Sequence, residues 1–164
     1  MNKQRFPVLL AFLAASAAVA ASEDVSENMW QSQGWAPIEG VWRVTRHGVN
    51  CATGGDVSTF PALMTFHADG TVSGQAVPPG STNAFGAAEH GVWNRKPGAR
   101  AFSFRLLSYR YDDSGIFAGS TEVSGSGQLT NGNTLTYKAS IGFFDASGTL
   151  LFNGCGAAMG VRFD

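Results

Sequence analysis

Gly40-Val41-Trp42-Arg43-Val44-Thr45-Arg46-His47, with Cys51 shortly after it, reads as the opening strand of a β-barrel. Trp42 and Val44 share one face of this strand, and Val41, Arg43 and Thr45 share the other, the period of two of a half-buried strand. Its expected partner lies at the other end of the chain, Cys155 to Phe163. Antiparallel partners keep a nearly constant sum of residue numbers, and Trp42 with Arg162 and Cys51 with Cys155 agree to within one bulge. If the two segments pair, the sheet closes on itself.

Between them the chain alternates short β-rich runs with turn signals. Strands are expected at Ala62–Ala68, Thr71–Val77, Glu89–Lys96, Arg100–Tyr111, Ile116–Thr130, Thr134–Phe144 and Thr149–Phe163. Asp69-Gly70, Pro97-Gly98, Asp112-Asp113-Ser114-Gly115, Asn131-Gly132-Asn133 and Asp145-Ala146-Ser147-Gly148 mark the turns. Two longer loops, Gly48 to Pro61 and Pro78 to Gly86, follow the first and third strands. With no helical stretch of any length, the expected fold is all-β: a closed, antiparallel, up-and-down barrel of about eight strands. An open two-sheet sandwich is the alternative. A barrel of eight has an interior that side chains fill or that just holds one small ligand.

The chain of 164 residues suits one domain, and a formal charge of −1 gives no basic footprint for nucleic acid. Charged residues at 14% against hydrophobic residues at 44% favour a folded core. Residues 1–21 read as a secretory signal peptide: Lys3 and Arg5, an apolar run from Phe6 to Ala20, and the small-x-small pattern Ala18-Val19-Ala20. The run is short for the ~20 residues of a spanning helix, so no stable membrane insertion is expected after cleavage. Export to the bacterial periplasm or beyond makes a disulfide the natural reading of Cys51 and Cys155, the only cysteines. His47, His67 and His90 are dispersed, so neither a metal nor another cofactor is expected. Residues 22–39 form a leader, with Trp30 and Trp35 either covering an apolar end or sitting in a plain linker; residues 40–164 form the barrel.

Gly40-Val41-Trp42 with the late Arg162 resembles the Gly-x-Trp and Arg pairing of lipocalin and calycin barrels. The stretches Thr65-Phe66-His67-Ala68-Asp69-Gly70-Thr71, Gly91-Val92-Trp93 and Phe143-Phe144-Asp145-Ala146-Ser147-Gly148 look like those of small exported bacterial lipocalin-like proteins. The resemblance implies that Arg162 packs over Trp42 at a closed base, and that the barrel binds a small hydrophobic molecule.

Alternation assigns the inward faces. They are expected to carry Trp42, Val44 and Arg46; Met64 and Phe66; Val72, Gly74 and Ala76; and Glu89 with Trp93. Strand five offers Phe102, Phe104 and Leu106, with Ser108 and Arg110, in preference to Leu107, Tyr109 and Tyr111. Strand six offers Phe117, Gly119, Thr121 and Val123, and strand seven Leu135, Tyr137, Ala139, Ile141 and Phe143. Strand eight offers Leu151, Asn153, Ala157, Met159 and Val161. Strand direction then brings Arg46, Glu89, Arg110 and Asn153 to one mouth above an apolar interior, the layout of a ligand pocket. Trp93 and Tyr137 complete the expected binding set.

In the first functional reading, Arg46 and Arg110 hold the carboxylate of an amphipathic ligand, under a lid of Phe60 and Phe85. In the plainer reading these polar groups only solvate the rim, Glu89 neutralising one Arg. A second reading is an isomerase or cyclase, Glu89 its candidate general base, Arg46 or Arg110 steadying an oxyanion, and Tyr109 and Tyr137 spare proton donors. A third is protein interaction or homo-oligomerisation through Leu107, Tyr109 and Tyr111, unless Trp30 and Trp35 cover them. His67, two residues before Asp69, reads as a polar group dressing a strand end.

Overall fold

The alternating pattern folds into eight strands: β1 (Gly40–Val49), β2 (Asp56–Phe66), β3 (Thr71–Ala76), β4 (Ala87–Arg95), β5 (Ala101–Tyr111), β6 (Phe117–Asn131), β7 (Thr134–Phe144) and β8 (Leu150–Arg162). The computed structural model describes residues 37–78 and 87–163. The expected signal peptide, Trp30, Trp35 and Phe85 lie outside these residues. Each strand pairs antiparallel with its sequence neighbour, and β8 returns to β1, so the sheet is a closed barrel. Closure removes the strand edges that an open sandwich would expose.

The closing seam runs from Trp42↔Arg162 to Val49↔Cys155 without a break. Cys51, just beyond the end of β1, is bonded to Cys155 with 5.2 Å between Cα atoms. The disulfide therefore pins the seam at the rim. At the base, the Arg162 guanidinium lies over the Trp42 ring at 4.4 Å and donates to three backbone carbonyls, those of Pro37, Glu39 and Gly132. Trp42 donates its indole N–H to the carbonyl of Ile38 at 2.8 Å, and both residues are fully buried. The chain entering β1 is thus tied to the chain leaving β8.

Three hairpins share one construction. His67–Gly70, Asp112–Gly115 and Asp145–Gly148 each close with a backbone bond from the fourth residue's N–H to the first residue's carbonyl, and end on a glycine at φ 84°, 78° or 85°. Only glycine holds that left-handed position without strain. Asp69-Gly70 therefore sits inside a longer turn than the two-residue hairpin its sequence suggests. The Asp145 carboxylate accepts hydrogen bonds from Ser147 and Thr149, and these hold its pKa below the ordinary carboxylate value.

Below mid-height the barrel is solid. Trp42, Met64, Phe66, Val72, Phe102, Phe104, Leu129 and Leu135 are buried there. Their rings meet edge to face, Phe66 against Trp93 at 5.7 Å and Phe104 against Tyr137 at 4.9 Å. The expected inward faces of β1 to β5 and β7 hold.

Three expectations need correction. First, β8 presents Gly154, Gly156, Ala158, Gly160 and Arg162 to the interior; Leu151, Met159 and Val161 are 54%, 56% and 43% exposed, and Asn153 is exposed. Directly opposed residues of an antiparallel pair share a face, so an inward Trp42 opposite Arg162 forces the even-numbered residues of β8 inward. Second, Phe117 is outside. A bulge pairs Arg110 with Gly119 but Tyr111 with Phe117, and this one-residue slip turns Phe117 over to meet Tyr109 and Tyr111 on the outer surface. Third, β2 begins at Asp56, six residues earlier than expected. Pro61 has no N–H to donate, yet its carbonyl accepts from Val77 at 3.1 Å, and the ladder continues through it. Phe60 is consequently part of the wall, packed on the core, and not a loop residue able to act as a lid.

The crosslink spans 104 positions, for which loop-closure entropy gives up to ~4–5 kcal/mol. A Cys51→Ser/Cys155→Ser variant is expected to keep its β-sheet circular dichroism but to lose about 2–4 kcal/mol in urea unfolding. An unchanged midpoint would show that the seam holds without the bond.

Candidate functional site

Arg46 and Glu89 stand on strands that are not neighbours, β1 and β4, and meet across the lumen. Nη1 and Nη2 of Arg46 donate to Oε1 and Oε2 of Glu89 at 2.6 and 2.7 Å, a two-pronged pair between residues 9% and 5% exposed. Each partner is given room by a small neighbour. A Cβ on Gly74, directly opposite Glu89 on β3, would stand 2.6 Å from the Glu89 carboxylate. On the other side, Ala158 of β8 is opposed by Arg46 and by Tyr137, and its short side chain lets those two meet over it.

Electrostatics follow from this packing. Burial by itself disfavours the charged Arg46, but the hydrogen bonds of Glu89, together with the neighbouring Tyr137 and the charge of Glu89, outweigh it, so Arg46 is held above its ordinary pKa. Burial raises the Tyr137 phenol; the positive charge of Arg46 opposes this and the negative charge of Glu89 adds to it, for a net rise. The three groups form a neutral unit: an ion pair with a protonated phenol beside it.

Above this unit lies a cavity of about 510 Å³. Its walls come from the rim halves of the strands and include Phe60, Val123, Ala139, Ile141, Phe143 and Gly156. The large core rings Trp42, Phe66 and Phe102 do not border it, so Arg46, Glu89 and Tyr137 are its floor. Phe143 stacks on Phe152 at 4.2 Å and makes an aromatic lip at the opening. Cys155 borders the same space.

Arg110 is the second guanidinium. It is half-buried and donates through Nη2 to the carbonyl of Phe144 at 2.5 Å. To do so it crosses β6 at Gly119, its directly opposed residue, where φ is 127° and a Cβ would strike the Phe144 carbonyl at 2.1 Å. The Nε of Arg110 is buried with no partner, as is the Nε of Arg46. No carboxylate pairs with Arg110 among the described residues, so the cavity carries one cation in excess.

Of the six expected binding residues, four meet here: Arg46, Glu89, Arg110 and Tyr137. Two do not. Trp93 is near the opposite end of the barrel, with its indole N–H bonded to the carbonyl of His67 at 2.9 Å. Asn153 points outward, as the register of β8 requires. Arg46 is not free for a ligand carboxylate, because both its terminal nitrogens serve Glu89. Two polar residues of the expected inward faces also border the cavity without belonging to the expected binding set: Ser108, opposite Glu89, and Thr121, opposite Ser108. The alternation that selected Arg110 carried Ser108 with it and was the available signal. His67 bonds Ser73 at 3.0 Å on the surface. Among the described residues no group of three His, Cys, Asp or Glu is placed to hold a metal.

Removing one member of the pair leaves a buried charge alone. Glu89→Leu is expected to cost about 3–5 kcal/mol in urea unfolding, and Arg46→Met/Glu89→Leu to recover most of the loss. Equal losses in the two variants would contradict a coupled pair. The raised Tyr137 pKa makes a stabilising contribution that is full below the unfolded value near 10 and is lost as pH climbs through the folded value. Stability measured from pH 8 to 11 should therefore fall less steeply above 10 in Tyr137→Phe than in the parent; parallel curves would remove Tyr137 as the cause. No protein-family model matches the chain, and no curated protein matches it.

Proposed function

We propose that the chain is an exported barrel that binds a small apolar molecule with an anionic end in the cavity above Arg46 and Glu89. The observation that carries this reading is the imbalance of the cavity: apolar walls, a neutral floor, and one guanidinium, Arg110, with no carboxylate set against it among the described residues. A cavity of about 510 Å³ lies in the range of small-molecule sites, which are largely apolar with a few placed polar groups. Arg110 is held across Gly119 by the Phe144 carbonyl and so is oriented before any ligand arrives. The basic start and apolar run of residues 1–21 support export, and the disulfide fits an oxidising compartment. The contact of Arg162 with Trp42 is the one the lipocalin and calycin resemblance implies, and it favours the same reading.

The isomerase or cyclase reading is weaker. It needs a free carboxylate at Glu89, and both oxygens of that group already accept from Arg46.

Binding is testable with two naphthalene probes, neutral N-phenyl-1-naphthylamine and anionic 2-naphthoate. The parent protein is expected to bind both and Arg110→Gln only the neutral one, with 2-naphthoate weakened about tenfold or more. Ala139→Trp, which fills the cavity, should abolish both. No binding of either probe by the folded parent would overturn the proposal.

A further inference from the structure

Strict alternation would point Phe117 into the mouth of the barrel. The bulge between Arg110 and Tyr111 turns it outward instead and forfeits that burial. Outside, its ring meets Tyr109 at 5.7 Å and Tyr111 at 6.2 Å, edge to face. Leu107, two residues before Tyr109, shares their face, and Ile116 stands beside them at the turn. These five residues are 38–65% exposed. They leave about 500 Å² of apolar and aromatic surface in one patch, so two such patches pressed together bury the ~1,000 Å² at which specific interfaces begin. The sheet is closed and has no free edge to add a strand to, so a partner must meet this face with a face of its own.

Charge decides which partner fits. Along the outer side of β5, Arg105 stands four residues before Tyr109 with its side chain 73% exposed, and the exposed carboxylates of Asp112 and Asp113 stand three and four residues after it. The contact of Arg105 with Glu122, at 3.9 Å between exposed groups, is a weak surface pair that leaves Arg105 able to turn to another carboxylate. A strip with a cation at one end, carboxylates at the other and aromatic rings between is complementary to itself turned end for end. The carboxylates at the tip work against burial of the same hairpin in a lipid surface. The chain before β1 enters at the opposite end of the barrel, where Arg162 binds the Pro37 carbonyl. Trp35, two residues before Pro37, has about 7 Å of chain from that point and no reach to the rim. We infer that this face is the interface of a homodimer, two copies packed antiparallel about a two-fold axis at Tyr109. Leu107 of each copy then meets Tyr111 of the other, and Arg105 of each meets the Asp112-Asp113 tip of the other. The edge-to-face contacts of Phe117 hold the aromatic rings in place before association. The inference is independent of what the cavity binds.

Sedimentation velocity on the purified chain, from about 1 to about 100 µM, reads the association directly. The parent is expected to run as a dimer at the upper end of that range. Tyr109→Glu and Phe117→Glu, both at exposed positions, should each weaken association at least about tenfold with the β-sheet circular dichroism unchanged. Arg105→Glu should weaken it too, and Arg105→Glu/Asp113→Lys should recover part of that loss, because the two ends of the strip then exchange sign in both copies. A parent that stays monomeric throughout would overturn the dimer; co-sedimentation of that monomer with phosphatidylglycerol vesicles would assign the face to a lipid surface instead. A dimer that Tyr109→Glu and Phe117→Glu leave intact would overturn this face as the interface, and no recovery in the double reversal would overturn the antiparallel arrangement.

Discussion

The Arg46–Glu89 pair sets the level at which the barrel stops being a packed core and becomes a vessel. Two charges removed from bulk water cost several kcal/mol each, and their attraction roughly repays that only when every donor and acceptor is well met. Here both oxygens of Glu89 and the two terminal nitrogens of Arg46 are matched at 2.6 and 2.7 Å, and of the pair's polar atoms only the Arg46 Nε is left buried without a partner among the described residues. Because the partners stand on β1 and β4, the pair spans the lumen. It also depends on what is missing beside it: no side chain at Gly74 and only a methyl at Ala158. Larger groups at either place would compete for the space that the pair and Tyr137 occupy.

Below the pair, large residues of β1, β2, β5 and β7 fill the interior; above it, Ala139 of β7 and Gly154 and Gly156 of β8 leave space that Ile141 and Phe143 border but do not fill. The cavity is thus a consequence of side-chain volume and not of strand number alone, since a barrel of eight can be filled completely. The same economy explains Arg110. Its reach across β6 is possible only where Gly119 leaves the backbone bare, and the Phe144 carbonyl then fixes the guanidinium at the mouth.

Much of this was legible before the structure. Closure followed from the register of Trp42 with Arg162, and the inward positions of Arg46, Glu89, Arg110 and Tyr137 from alternation along their own strands. β8 was misread because its apolar residues are on both faces, so hydrophobicity chose the odd set while the seam register demanded the even one. Asn153 fell with that choice. Phe117 was misplaced by a bulge, which strict alternation does not foresee. Trp93 was assigned correctly to the inside but not to the right height, because height depends on how the strands are staggered round the barrel, and no single strand encodes that. The bond between Arg46 and Glu89 was legible only as a possibility of neutralisation; its span across the lumen needed the three-dimensional stagger.

The central claim is a rigid, two-pronged Arg46–Glu89 bond at the cavity floor, and arginine side-chain nitrogen-15 NMR reads it most directly. A guanidinium held through two terminal nitrogens cannot rotate freely about its Cζ–Nη bonds, so the parent should show separate, slowly exchanging Hη resonances that vanish in Arg46→Lys. In Glu89→Gln those resonances should broaden or merge. Averaged Hη signals for Arg46 in the parent, with no change in Glu89→Gln, would contradict the account.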